Sequence, residues 1–150
     1  MSRGLFFIAL LIQVGCNSGK YQNAATENLD RADKLRYEQY MIQGHQLYKT
    51  HCSNCHQEDG TGLSQLIPPL AQSDYLLSDS ARTLCIIKHG LKEKIIVNGV
   101  EYQQPMPANE TLTDIEIAQI ATYIYNNWGH TLGYMPVKEV SRLLNACQSN

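Results

Sequence analysis

Apolar positions recur at intervals of three and four over four stretches of the chain, and each stretch reads as a helix with one buried face. Tyr37, Tyr40, Met41, Gly44, Leu47, Tyr48 and His51 form the first series, which runs directly into a pair of cysteines. A second helix spans about Asp79 to His89 and offers Leu84, Cys85, Ile86 and Ile87 for burial, with Gly90 as its C-terminal stop. The third begins at Thr113-Asp114-Ile115-Glu116, a capping box whose hydroxyl and carboxylate satisfy free N–H groups of the first turn. Its stripe is Ile117, Ala121, Ile124, Tyr125 and Trp128, with Gly129 ending it. A last segment opens at Pro136 and repeats at Val137, Val140, Leu144 and Cys147.

The connections carry different signals. Gly60, Gly62 and the Pro68-Pro69 pair mark a loop, and the run Ile95 to Gly99 closes on Asn98-Gly99, a tight-turn pair suited to a small hairpin. Strand content is therefore minor, and the chain reads as all-α, with three to five helices. At 150 residues, 43% hydrophobic and 17% charged, it suits one small domain with polar attachments. The net charge of -2, with no block of Lys and Arg, excludes nucleic acid as a partner class.

The N-terminus has the parts of a secretory signal: Arg3 in a short basic start, then an apolar run from Leu5 to Ile12 too short to span a bilayer. The stretch Ile12-Gln13-Val14-Gly15-Cys16 resembles a bacterial lipobox, although Gln13 departs from the aliphatic residue usual at that place. The expectation is a signal peptide over 1–15 and a polar, flexible, lipid-anchored linker over 16–29. The main domain then covers 30–129, with a C-terminal helical extension packed on it over 130–150. The competing reading is an ordinary cleaved signal in which Cys16 has no role.

Cys52-x-x-Cys55-His56 carries the chemistry. This is the attachment signature of a c-type haem, in which two thiols at fixed separation join the two vinyl groups of the porphyrin and the histidine lies beneath the iron. The competitors fit less well. Zinc would call for four ligands and a second cysteine pair. A redox dithiol would follow a strand, whereas helical sequence precedes these cysteines, and a disulfide across two residues is strained and leaves His56 unexplained.

From about Tyr37 to Trp128 the chain resembles a class I cytochrome c domain. A helix precedes the cysteine motif, a proline-bearing loop follows, a methionine beside a proline comes next, and an aromatic-bearing helix closes the order. The resemblance implies the cytochrome c fold around one covalent haem c, with His56 as proximal ligand and Met106, followed by Pro107, as distal ligand. Met135 also precedes a proline but falls after the aromatic helix, and His89 is an alternative sixth ligand. Met41 belongs to the first helix face, while His45, His51 and His130 read as surface or satisfied core residues. The resemblance further gives the Pro68 carbonyl the role of acceptor for the His56 ring N–H. It makes Gly44 the small residue at the crossing of the first and last helices, with Tyr125 or Trp128 over it.

With Cys16 assigned to lipid and Cys52 and Cys55 to haem, Cys85 and Cys147 are an even pair in an oxidising compartment. A disulfide between them is expected; two buried thiols are the alternative. Ligation by histidine and methionine would fill both axial positions of the iron, which implies one-electron transfer rather than catalysis on a small molecule. The leading expectation is a membrane-tethered electron carrier in the periplasm or on the outer face of a bacterial membrane, exchanging electrons with redox proteins. A haem-bearing subunit held in a larger oxidoreductase complex is the second reading, and a five-coordinate haem enzyme or gas-binding protein the third.

Overall fold

The computed structural model describes residues 21 and 23–147. The stretch read above as a signal peptide, the lipobox-like run and Cys16 lie outside the described residues. Helix α1 runs Arg31–His51 and starts where the Asp30 carboxylate accepts from Asp33 N at 2.8 Å. Its periodic face is buried through Tyr37, Tyr40, Met41, Gly44 and Tyr48, whereas Leu47 is half-buried and His51, the last of the series, is exposed where the helix ends. A single turn, α2 (Ser53–His56), follows at once, then a long loop and another short turn, α3 (Asp74–Ser78). Helix α4 (Ser80–His89) is capped by Asp79 and ends at Gly90, whose φ of 78° lies in the left-handed region.

Strands β1 (Ile95–Val97) and β2 (Val100–Tyr102) form the expected hairpin, with Asn98 and Gly99 both at positive φ in its turn. Helix α5 (Asp114–Ile124) opens with the capping box, Glu116 Oε2 accepting from Thr113 N at 2.8 Å. It crosses α1 at Gly44, where a Cβ would lie inside the contact distance of the Gln119 carbonyl oxygen and 2.8 Å from Tyr123 Cβ. Gln119 and Tyr123, and not Tyr125 or Trp128, therefore cover Gly44. Tyr125 instead donates its hydroxyl to the Leu76 carbonyl at 3.0 Å, and the Trp128 indole packs over Gly60.

The helix also ends earlier than its apolar stripe suggests, at Ile124 with Tyr125 as cap, so Trp128 and Gly129 lie in the following turn. Asparagine side chains compete for the backbone there. Asn126 Nδ2 donates to the Thr122 and Gly133 carbonyls, both at 2.7 Å, and its Oδ1 accepts from Gly133 N at 2.8 Å. Helix α6 (Val137–Asn145) then packs on α4 and α5 through Val140, which is fully buried. Cys147, just past its end, is bridged to Cys85 of α4, with Cα atoms 5.7 Å apart.

The folded domain begins before residue 30. Residues assigned to the flexible linker by their polar composition form a 3-10 turn (Ala24–Thr26) closed by an Asn23 capping box, with Thr26 buried. Asn23 Nδ2 donates to the Tyr37 hydroxyl at 3.0 Å, so polar residues here are used as caps and not left in solvent. Tyr21 and Leu29 pack against the main core. That core joins all the longer helices through Tyr37, Tyr48, Leu84, Ile117, Ile120, Tyr125 and Val140. Among the described residues no helix is long and apolar enough to cross a membrane.

Candidate functional site

The end of α1 delivers the first cysteine. Cys52 still donates its N–H to the Tyr48 carbonyl at 2.9 Å, but its ψ of -38° at φ -124° breaks the helix, and α2 swings Cys55 and His56 round in one turn. Gln57 leaves that turn at φ 63°, and the Tyr48 hydroxyl holds its carbonyl at 2.6 Å. Both cysteines are free thiols, Cys55 exposed and Cys52 half-buried. His56 is buried, and its Nδ1 sits 3.0 Å from the Pro68 carbonyl oxygen. A carbonyl can only accept, so Nδ1 carries the hydrogen and Nε2 keeps its lone pair.

The acceptor is itself held by the loop that carries it. Gly62 N donates to the His56 carbonyl at 3.0 Å, Leu63 N to Ile67 O at 3.0 Å, and the N–H groups of Leu70 and Ala71 both reach Gly60 O, at 2.8 and 2.9 Å. Gly62, at φ 71°, lies so close to the Ile67 and Pro68 carbonyls that a Cβ would overlap both. This glycine reads from sequence only as loop punctuation; its contact with the carbonyl that accepts from His56 requires the fold.

Met106 reaches the same cleft from a different segment of the chain. Its N–H donates to the Leu91 carbonyl at 2.8 Å and its carbonyl accepts from Leu91 N at 2.9 Å, an isolated antiparallel pair just past α4. Gly90 makes room for it, since a Cβ there would lie 2.6 Å from the Met106 carbonyl oxygen and 2.8 Å from Ala108 N. Asn109 ties the same loop to α4, with Nδ2 donating to Ile87 O and the backbone N–H to Lys88 O, both at 3.2 Å. Gly90 is visible in the sequence as a helix stop, but Leu91 and Asn109 carry no signal of this role.

Cys52, Cys55, His56, Pro68 and Met106 thus line one cleft of roughly 1170 Å³, part of it open to solvent. Ile86, Ile87, Leu91, Val97, Ile120 and Ile124 make its walls largely apolar, and Glu93 is the one carboxylate in its lining. Burial consequently works against charge. It lowers the His56 pKa, opposed in part by the Pro68 carbonyl, and pushes the Cys52 thiol up to about 12, helped by neighbouring Cys55. A catalytic dithiol needs a lowered thiol pKa, so this pair is poorly suited to thiol–disulfide exchange. Among the described residues no group of three or more His, Cys, Asp or Glu side chains is placed to hold a bare metal ion.

The other candidates stand elsewhere. His89 is exposed and away from the cleft, and Met135 packs beside the core with its N–H on Thr122 Oγ1 at 3.2 Å. Met41 is in the core, and His45 stacks on Tyr123. His130 is buried and satisfied, Nδ1 donating to Ile124 O at 3.1 Å and Nε2 accepting from Gln72 N at 3.0 Å. His51 is exposed at the rim of the cleft.

Two thiols, an imidazole with one oriented lone pair and a methionine lining the same apolar cleft fit a covalently held macrocycle. The family model for cytochrome c matches residues 41–128, which include the whole of this site, and the chain belongs to the cytochrome c family. Members of the family bind covalently attached haem c. Cytochrome c-552 of Thermus thermophilus is 32% identical over 101 residues, covering 61% of this chain and 77% of that protein. The cytochrome c subunit of the quinone alcohol dehydrogenase of Gluconobacter oxydans is 26% identical over 102 residues, covering 67% of this chain and 21% of that subunit. The corresponding subunit of Komagataeibacter europaeus is 27% identical over 107 residues, covering 68% and 22%.

Proposed function

We propose that the protein is a class I, monohaem electron carrier. In this reading Cys52 and Cys55 would tether haem c, His56 Nε2 and the Met106 sulfur would hold its iron, and the Pro68 carbonyl orients the imidazole. When bound, the haem supplies a one-electron iron couple. The observation that carries the reading is that His56 and Met106, brought by separate segments of the chain, line a single apolar cleft together with Cys52 and Cys55. Two protein ligands leave the iron no open position for a substrate, which favours electron transfer over chemistry on a small molecule.

The chain's own residues set the redox properties. The apolar walls would limit water around a bound haem and so disfavour the extra charge of its ferric state, and the His56–Pro68 hydrogen bond fixes the imidazole plane and strengthens its donation. Export and acylation of Cys16 complete the proposal, placing the carrier in the periplasm or on the outer face of a bacterial membrane, where it meets redox proteins by transient docking. Mass analysis of the protein purified from membranes tests the anchor: diacylglycerol on Cys16 supports it, and a chain beginning beyond Cys16 removes it.

The test of the redox reading is voltammetry of the matured protein together with exposure of its ferrous form to carbon monoxide. One reversible electron per chain without rapid carbon monoxide binding is expected. Fast binding at the resting iron would instead support the five-coordinate reading. A second reading, a haem-bearing subunit of an oxidoreductase, is favoured by the similarity to cytochrome c subunits of quinone alcohol dehydrogenases. Stoichiometric co-purification with a dehydrogenase supports that reading, and a freely reoxidising monomer supports the carrier.

A further inference from the structure

We infer that the Cys85–Cys147 bridge is a positioning element for Met106, holding the methionine loop against the cleft through the end of α4. The inference rests on the reading of Met106 as distal ligand. The ties of that loop converge on a short stretch after Cys85. Ile87 O and Lys88 O accept from the side chain and backbone of Asn109, at 3.2 Å each. Lys88 Nζ donates to Glu110 O at 2.9 Å and to Leu112 O at 2.6 Å. Leu91 exchanges both backbone hydrogen bonds with Met106, and Gly90 abuts the Met106 carbonyl. The position of Met106 is thereby the position of residues 87–91.

Those residues are held from behind by the bridge. With about 100° between successive residues of an α-helix, Cys85 faces nearly opposite to Ile87, a residue of the cleft wall. Helix α4 is short: Ile87 lines the cleft, α6 packs against the helix, and Cys85 is covalently tied to Cys147, just past the end of α6, across 62 residues of chain. Removing the tie leaves α6 on α4 by packing alone. The end of α4 then opens locally at lower cost, and Leu91 and Met106 leave the cleft together.

The test uses the full-length ferric holoprotein and imidazole as an entering ligand, whose binding rate at saturating concentration equals the rate at which Met106 departs. The Cys85→Ala/Cys147→Ala variant is expected to keep the methionine-to-iron charge-transfer band at rest. Its saturating rate rises about tenfold, a part of what closing a chain loop of this length is able to supply. Val140→Ala weakens the seat of the same helix while leaving the bridge intact, and serves as the comparison. An unchanged rate, or a rise no greater than that of Val140→Ala at equal loss of unfolding free energy, overturns the inference.

If the double variant does not accumulate, hydrogen exchange on the unmodified protein answers the same question. The Leu91, Met106 and Val140 amides are expected to open with one free energy; Leu91 and Met106 exchanging while α6 stays closed overturns the inference. Failure of the underlying reading is separate, because a charge-transfer band that survives Met106→Ala shows another distal ligand whatever the bridge does.

Discussion

Gly90 and Met106 touch through their backbones: the glycine at φ 78° leaves no space for a Cβ, which would stand 2.6 Å from the methionine carbonyl oxygen. One residue therefore both ends α4 and seats the loop that carries Met106. An alanine here must adopt a left-handed backbone and also displace the loop. Gly90→Ala is expected to lower unfolding free energy by at least about 2 kcal/mol and to weaken the methionine-to-iron band. Denaturant titration and the optical spectrum of the same sample check both effects, and loss of stability with an intact band would mean that the loop absorbs the clash.

The proximal side has the matching relationship between Gly62 and Pro68. Gly62→Ala pushes on the Ile67 and Pro68 carbonyls and so displaces the acceptor of the His56 ring N–H. The expected result is a shifted His56 ring N–H resonance and a changed midpoint potential, with the distal methionine still bound. Pro68→Ala retains the carbonyl and is expected to change the potential less.

At the other end of the molecule, Thr113→Ala removes the side-chain oxygen that caps α5 and is expected to cost about 1 kcal/mol. The cap is not part of the cleft lining, so the midpoint potential is expected to stay at its wild-type value. A potential shift comparable to that of Gly62→Ala would show that α5 transmits strain to the haem.

Alkaline pH acts on buried phenols. Burial raises the pKa values of Tyr37 and Tyr125 above their ordinary 10.0, and that of Tyr134 to about 12, where Tyr40 adds to the effect. The native state then holds phenolic protons that the unfolded chain has already released. Stability is fully present below pH 10 and falls as pH rises from there through the raised native values, about 12 for Tyr134. Unfolding free energies measured at stepped alkaline pH are expected to decline over that window, and a flat profile would contradict this account of the tyrosines.

How much of this was legible in the sequence follows from what each feature depends on. The periodic face of α1, the capping box of α5 and the Asn98-Gly99 hairpin are local patterns, and all three form where the pattern puts them. Trp128 continues an apolar period but lies past the helix, because Asn126 finds partners at Gly133 that spacing alone does not reveal. The early start of the fold at Asn23 has the same cause, since capping by polar residues looks like a linker in composition. At the site, the cysteine motif names its chemistry by itself. Gly62, Leu91 and Asn109 act through backbone contacts with residues distant in the chain, and no side-chain pattern encodes those.

The proposed function stands on His56 and Met106 together holding the iron of a single covalent haem c. The most direct measurement compares the optical spectra of wild type and Met106→Ala, each produced with cytochrome c maturation machinery. Haem c bands are expected in both, with a methionine-to-iron charge-transfer band in the wild type alone. A band that persists in Met106→Ala, or is absent from both proteins, would contradict the claim.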